Sequence, residues 1–106
     1  MTTEFDGSSV VVTGGSRGIG AGIARMFAAE GANVVVNYHQ SPHKAESVVD
    51  SIEDDGGTAV AVGADVSDPT AVDAMVSEAV DSFGGVDVLV NNAGMSRIGP
   101  SVDLEI

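Results

Sequence analysis

The sequence of 106 residues has no cysteine and no tryptophan, and lysine and arginine together number only four. Without cysteine, a disulfide framework, a thiolate nucleophile and a thiolate metal ligand are all excluded. The chain also lacks an apolar run of about 18 residues, the length from which a membrane-spanning helix is inferred. Its N-terminus has no basic region followed by an apolar one, so it gives no sign of a secretory signal. These absences predict a cytoplasmic protein with no membrane partner.

Acidic side chains number sixteen and give the chain a formal net charge of −12 at pH 7. A field of this sign repels nucleic acid, whose binding needs a basic surface, so a nucleic-acid partner is excluded. Like charges also destabilise the compact state, and salt screens that repulsion, with a Debye length of about 3 Å at 1 M. The composition therefore predicts a halophilic protein, and simple solvation of acidic helix faces is the alternative.

Apolar residues make up 43% of the chain, which is enough for the core of one domain spanning residues 1–106. Short valine-rich runs alternate with segments whose apolar residues recur at helical spacing. The runs predict strands over residues 8–13, 33–38, 58–63 and 86–91. The helical segments predict helices over residues 17–30, 42–54 and 69–83. Residues 95–106 show no periodicity and predict an irregular tail.

Residues near the helix ends support these boundaries. Ser41 and Asp68 each precede a proline, which is typical of an N-cap followed by the first helical position. Helix one is predicted to bury one apolar face, formed by Ile19, Ile23, Met26 and Phe27. Helix three is predicted to present an apolar stripe, formed by Val72, Met75, Val76, Ala79, Val80 and Phe83.

The order βαβαβαβ is typical of an α/β protein with a parallel sheet and helices on both faces. Rossmann topology gives the strand order 3-2-1-4, with a ligand crevice where the order reverses between strands one and four. In that order a further strand would follow strand four outward, so the chain would be a truncated half of a doubly wound fold. Strand four would then be a bare edge, which favours a homo-oligomer or association through that edge. Helix three would expose part of its stripe.

A glycine-rich turn, Thr13-Gly14-Gly15-Ser16-Arg17-Gly18-Ile19-Gly20, joins strand one to helix one. Glycine permits tight turns and close backbone approach, and a helix N-terminus presents unpaired N–H groups with partial positive charge. A strand before the turn and a helix after it are the context that a phosphate cradle requires. An ordinary βα turn with extra glycines is the alternative. The spacing Gly-x-x-x-Gly-x-Gly differs from most dinucleotide loops and from the P-loop.

This turn resembles the cofactor loop of the short-chain dehydrogenase/reductase family. Asn91-Asn92-Ala93-Gly94 is similar to a second family motif, and Asp65-Val66 is a weaker third match, all in the family order. The resemblance extends from Val10 onward. It implies an oxidoreductase that transfers hydride between NAD(P)(H) and a carbonyl/alcohol pair, with oxoacyl reductases and sugar dehydrogenases as the nearest members.

By this resemblance, backbone N–H groups from Gly14 to Gly20 hold the pyrophosphate. Within that loop the cofactor-binding residues are predicted to be Gly14, Ser16, Arg17, Gly18, Ile19 and Gly20. The Ser16 hydroxyl adds a donor, and Arg17 either reaches a phosphate or only adds solubilising charge.

The end of strand two decides between NAD and NADP, because an acid there bonds the ribose 2′-hydroxyl and repels a 2′-phosphate. The deciding position is Tyr38, and its neighbours Asn37 and His39 are not acids either; all three are predicted to be cofactor-binding residues. NADP(H) is therefore favoured, with NAD(H) as the second cofactor. His39 is a phosphate contact or only a loop histidine.

Two further segments complete the predicted cofactor site. By resemblance, the Asp65 carboxylate accepts from the adenine amino group while the Val66 backbone pairs with the ring; a solvated loop aspartate is the alternative. Asn91, Ala93 and Gly94 resemble the segment that lines the adenosine ribose. Asn91 could equally satisfy backbone groups at a strand end.

The family's catalytic tyrosine, followed four residues later by a lysine, has no match here. Tyr38 and Lys44 are the only residues of these types and stand six apart. His39 and His43 are the only histidines, and no acids cluster at ligand spacing, so no metal site is predicted. We therefore expect the N-terminal, cofactor-binding portion of such an enzyme, inactive alone. A non-catalytic nucleotide-binding module and an interaction module that pairs with a full-length relative are the alternatives.

Overall fold

The structure is a computed structural model that describes residues 5–14 and 18–91, together with the backbone of Asp103–Glu105. The predicted site residues Ser16, Arg17, Ala93 and Gly94 lie outside the described residues. None of the helices in the described part of the chain is long and apolar enough to cross a membrane.

Strands and helices alternate as the sequence predicts. The strands are β1 (Ser9–Val12), β2 (Asn33–Tyr38), β3 (Thr58–Gly63), β4 (Val88–Asn91) and β5 (Asp103–Glu105). The helices are α1 (Gly18–Ala29), α2 (Pro42–Asp54) and α3 (Pro69–Phe83). All the described strand pairs are parallel, and the order is β3-β2-β1-β4-β5. The Rossmann order 3-2-1-4 is confirmed, and one further strand lies beside β4.

The fifth strand corrects the expectation of an irregular tail over residues 95–106. Asp103–Glu105 pairs with β4, and Val90 is in register with Leu104. The pairing satisfies backbone N–H and C=O groups that β4 would otherwise leave open on its outer side. Three residues are too few to show the alternation that marks a strand in a sequence. The expectation of a bare β4 edge is therefore wrong, and the expected association through that edge loses its basis.

Valines on alternate faces of β1 and β2 divide the core into two layers. Val10 and Val12 face a cluster formed with α1 and α2, whereas Val11 and Val35 pack with Met75 of α3 on the other side. All four valines are fully buried. The period of two along each strand makes helices on both faces necessary, because each face is apolar.

The buried face of α1 differs from the predicted one. Ile19 and Met26 are 67% and 54% exposed, and small side chains face the sheet instead. The buried residues of α1 are Gly20, Ala21, Ala24, Phe27 and Ala28. Small residues let the helix backbone lie close to the valine layer, where larger side chains would hold it away. Helical spacing of large apolar residues therefore identified the helix but not its inner face.

The N-caps of α2 and α3 are made differently. The Asp68 carboxylate accepts a hydrogen bond from the Thr70 N–H at 3.0 Å, as its position before Pro69 predicts. Ser41 occupies the N-cap of α2, but its side chain makes no capping hydrogen bond there. Of the two N-caps that the structure describes, that of α3 alone stabilises its helix through a side chain.

The apolar stripe of α3 is only partly covered by the described residues. Met75 and Ala79 are buried against the sheet, whereas Val76 and Val80 are 39% and 47% exposed. This agrees with the expectation that helix three exposes part of its stripe.

Candidate functional site

The predicted site residues that the structure describes lie at one edge of the sheet. β1 through β4 are parallel, so their carboxyl ends meet at the same edge. Val12 is in register with Val36 of β2 and Val90 of β4, so the segments that follow these positions begin side by side. In an open α/β sheet, ligands bind outside this edge where the strand order reverses, here between β1 and β4.

The turn after β1 uses glycine for its backbone conformation. Gly14 and Gly18 have φ angles of +62° and +60°, in the left-handed region that side chains disfavour. A Cβ on Gly18 would meet nothing within 4 Å, so conformation rather than space calls for glycine there. Helix α1 begins at Gly18, and the N–H groups of its first turn have no partner within the helix. These groups and the positive end of the helix dipole suit an anion.

Thr13 and Asn91 join the ends of β1 and β4. Both residues are buried. The Thr13 N–H and Oγ1 donate to the Val90 carbonyl oxygen at 3.0 and 3.2 Å, and Oγ1 lies 3.4 Å from Asn91 Oδ1. This geometry supports the structural alternative for Asn91, in which its side chain fixes a strand end.

Asn37 is 2% exposed and hydrogen bonds to backbone groups of neighbouring segments. Its Oδ1 accepts from the Gly14 N–H at 3.1 Å. Its Nδ2 donates to the carbonyl oxygens of Val62 and Ala64 at 3.2 Å each, and lies 3.3 Å from the Tyr38 carbonyl oxygen. The sequence predicted Asn37 as a cofactor-binding residue at the end of strand two, and its described hydrogen bonds are with the backbone.

Tyr38 lies across the end of β3, where it is in register with Gly63. A Cβ on Gly63 would lie 2.9–3.0 Å from the Tyr38 ring atoms Cζ and Cε2 and from Oη. Glycine at position 63 therefore lets the half-buried ring rest on the strand. Sequence reasoning missed Gly63, because nothing in the pattern of β3 shows which side chain crosses it.

Asp65 and His39 meet just beyond β3 and β2. Asp65 Oδ1 accepts from the Ser67 hydroxyl at 2.7 Å and from the Ser67 N–H at 2.9 Å. Its Oδ2 lies 3.6 Å from Nε2 of His39. The two Ser67 hydrogen bonds, the hydroxyl's first, lower the pKa of Asp65; partial desolvation opposes them, and His39 adds a smaller lowering. Asp65 is therefore ionised at neutral pH and can accept a hydrogen bond from a ligand.

A cavity of about 390 Å³ between α1 and α2 lies away from this edge. Its lining includes Arg25, Ile52 and Gly57, and the last two stand at the end of α2 and before β3. It is therefore near the amino ends of the strands and is not part of the candidate site.

Comparison with known proteins agrees with this fold. The family model for short chain dehydrogenase matches residues 8–106. The chain is 52% identical over 101 residues to 3beta-hydroxysteroid dehydrogenase 1 of Eggerthella lenta, covering 95% of this chain and 39% of that protein. It is 53% identical over 89 residues to a 3-oxoacyl-[acyl-carrier-protein] reductase of Staphylococcus aureus, covering 84% of this chain and 36% of that protein.

A solved structure gives the same result. A short chain dehydrogenase from Burkholderia cenocepacia in complex with NADP superimposes with a TM-score of 0.82 and 48% identity, covering 92% of this chain and 40% of that one. The chain thus spans about two fifths of the length of the relatives that it matches. The family match extends over nearly all of the sequence, and the chain belongs to the short-chain dehydrogenase family.

Proposed function

We propose that this chain binds the adenosine and pyrophosphate portions of NAD(P)(H), as part of an oxidoreductase that transfers hydride between the cofactor and a carbonyl/alcohol pair. One observation supports this most strongly. The N-terminus of α1 and the ionised Asp65 carboxylate lie at the carboxyl edge of the same sheet. A helix end that binds anions suits the diphosphate of an adenosine diphosphate. A carboxylate that accepts from an amino group suits its adenine.

Each described residue has a role in this proposal. Backbone N–H groups at Gly18, Ile19 and Gly20 hold the pyrophosphate beside Gly14, while Asp65 accepts from the adenine amino group and the Val66 backbone pairs with the ring. Within the proposal, Ser16 and Arg17 add donors to the phosphates. The adenosine ribose lies against the segment that contains Asn91, Ala93 and Gly94.

For cofactor preference we propose NADP(H) first and NAD(H) second. At the end of β2, Tyr38 occupies the position of the discriminating acid, so no carboxylate from this strand opposes a 2′-phosphate. His39 is 60% exposed beside Asp65, and in its protonated form it is a cation available to such a phosphate. The NADP complex of the Burkholderia cenocepacia relative is consistent with this preference.

Catalysis is expected to need residues that these 106 do not supply. The chain has no tyrosine followed four residues later by lysine, so we expect no carbonyl reduction by this chain alone. Two of the relatives act, by their names, on a hydroxysteroid and on an oxoacyl group. The shared chemistry is a carbonyl/alcohol pair, and the substrate is proposed no more narrowly than that.

Isothermal calorimetry of the chain at high salt tests the binding proposal. NADPH, NADH and adenosine 2′,5′-bisphosphate are titrated separately. Because the proposed contacts are with the adenosine half, the bisphosphate is expected to bind within about tenfold of NADPH, a difference of about 1.4 kcal/mol. NADH is expected to bind more weakly than NADPH. Absence of heat with all three ligands up to millimolar concentration would refute the proposal.

A further inference from the structure

A carboxamide buried at the end of β2 has to be paired, because an unpaired polar group there would lose its hydrogen bonds to water without replacement. Asn37 meets that requirement entirely with backbone groups. Its acceptor takes the Gly14 N–H, and its amide donates to carbonyl oxygens of Val62 and Ala64. The side chain thus spans from the turn after β1 to the segment after β3, across the strand that separates them.

The contact with Gly14 lies beyond the last paired residues of β1 and β2. The contacts with Val62 and Ala64 lie at the end of the pairing between β2 and β3. The β1–β2 register ends with Val12 opposite Val36, two residues before Gly14. The β2–β3 register ends with Tyr38 opposite Gly63, just before Ala64 and Asp65. Asn37 therefore continues the connection beyond the last paired residues on the β1 side, and on the β3 side it adds to the backbone hydrogen bond from the Ala64 N–H to the Tyr38 carbonyl oxygen at 2.9 Å.

We propose that Asn37 is a positioning residue that fixes the Gly14 turn relative to the Asp65 segment without touching the cofactor. This inference rests on the proposed function, in which the turn holds the pyrophosphate and Asp65 holds the adenine. A cofactor bridging both places benefits when their separation is set before binding, because less ordering remains to be done. Asn37 thereby contributes to affinity through the two segments that it joins.

The amide is suited to this role because it carries an acceptor and donors on one short side chain. An ionised aspartate accepts from Gly14 but sets a negative charge against the carbonyl oxygens of Val62 and Ala64. Burial and these oxygens raise the pKa of such a carboxyl. Once protonated, it can donate to one carbonyl and still accept from Gly14. The Asn37→Asp variant is therefore expected to behave like the wild type at low pH only.

The experiment uses the full chain at high salt and measures NADPH affinity between about pH 5 and pH 8, the range in which a raised carboxyl pKa is expected to fall. Asn37→Asp is compared with Asn33→Asp, the same change at the other end of β2, where the side chain is half-buried. The affinity profile of each variant is divided by the wild-type profile, so that pH effects common to both cancel. We expect about tenfold or greater weakening for Asn37→Asp at pH 8, recovering as pH falls, and less than about twofold change for Asn33→Asp.

Amide hydrogen exchange measured without ligand separates this inference from the binding proposal. In Asn37→Asp at pH 8 the carboxylate still accepts from Gly14 but no longer donates to Val62 and Ala64, so exchange should accelerate at Ala64, whose N–H donates to the Tyr38 carbonyl oxygen at 2.9 Å, more than at Val11 in the centre of β1. Asn37→Ser, whose hydroxyl is too short to span both segments, should accelerate exchange at Gly14 without the acid recovery. If Asn37→Asp does not fold at pH 8, Asn37→Ser supplies the comparison.

Several outcomes would overturn the inference. Unchanged Gly14 exchange in Asn37→Ser means that Asn37 does not fix the turn. Weaker NADPH binding with unchanged exchange at both Gly14 and Ala64 means direct contact with the cofactor instead. Wild-type affinity for Asn37→Asp at pH 8 also contradicts the inference. Failure of the wild type to bind any nucleotide counts against the proposed function, and the Gly14 exchange then still decides whether Asn37 fixes the turn.

Discussion

At the scale of single residues, the candidate site depends on side chains that act on the backbone. Asn37, Thr13 and Asn91 are buried and hold the ends of the strands in place. The half-buried Asp65 carboxylate is left to face solvent and ligands. A rigid edge with few exposed polar groups limits the ordering that remains when a nucleotide binds.

Gly18 supplies a test of backbone conformation at this edge. Its φ of +60° predicts that Gly18→Ala lowers the free energy of unfolding by about 1 kcal/mol, because a Cβ is disfavoured in the left-handed region. Gly22 is the control: it also has open space around it, but it lies inside α1 without a positive φ, so Gly22→Ala should stabilise by about 0.5–1 kcal/mol. Denaturant unfolding measures both. Equal effects of the two substitutions would contradict the conformational explanation.

Gly63 tests the contact with Tyr38. A Cβ there meets the ring at 2.9 Å, so Gly63→Ala has to displace the ring and is expected to cost about 1–3 kcal/mol of unfolding free energy. Gly85→Ala, with nothing within 4 Å, should be nearly neutral by the same measurement. A neutral Gly63→Ala would mean that the Tyr38 ring moves aside without cost.

Asp65 adds a pH dependence whose sign follows from its lowered pKa. Because the folded-state pKa lies below the ordinary value of 3.8, the carboxylate stabilises the fold above that value, and the contribution is lost as pH falls through the folded pKa. Asp65→Asn should therefore be less stable than the wild type at neutral pH, and the difference should shrink below about pH 4. Ser67→Ala, which removes the largest cause of the lowering, should show the same trend more weakly. A difference that grows with acid would reverse the assigned sign.

At the scale of elements, the sequence predicted the central sheet because its strands are valine runs bounded by glycine or polar residues. It failed where packing decides the outcome. The inner face of α1 is lined by Ala21, Ala24 and Phe27, and periodicity favours larger residues that in fact face outward. Gly63 was not recognised, and Asn37 was predicted only as a cofactor contact, because the neighbours that give them their roles lie about 25 residues away in the chain.

The pairing of β5 with β4 predicts how the edge of the sheet behaves. Deleting residues 101–106 removes β5 and leaves the outer backbone groups of β4 unpaired, which favours pairing with another chain. We expect light scattering to show that the shortened chain associates more than the full chain, and that the difference grows as the protein concentration rises. Val88→Pro in the shortened chain should reduce that association, and circular dichroism checks that it still folds. Equal association of the shortened and full chains would contradict a protective role for β5.

At the scale of the whole molecule, negative charge is the dominant feature, and the fold places several acidic side chains together at the C-terminus of α2. The net charge is −12, and α2 ends at Glu53 and Asp54 with Asp55 as its C-cap. The C-terminus of a helix carries partial negative charge, and no basic residue occupies the last turn of α2 to offset it. The acids at the end of α2 are therefore repelled by the net negative charge of the chain and also by the negative end of their own helix.

Salt should accordingly stabilise the chain. We expect the melting temperature to rise between about 0.1 and 3 M potassium chloride, as the Debye length falls from about 10 Å to below about 3 Å.

At low salt, Asp54→Asn should raise the melting temperature by roughly 2–6 °C, because it removes about 0.3–1 kcal/mol of repulsion at a helix end. Asp73→Asn, the same change at an exposed position in the first half of α3, should raise it less. Both gains should vanish at high salt. A melting temperature that falls with added salt would contradict the halophilic interpretation, and equal gains from the two variants would show that general repulsion outweighs the local effect at α2.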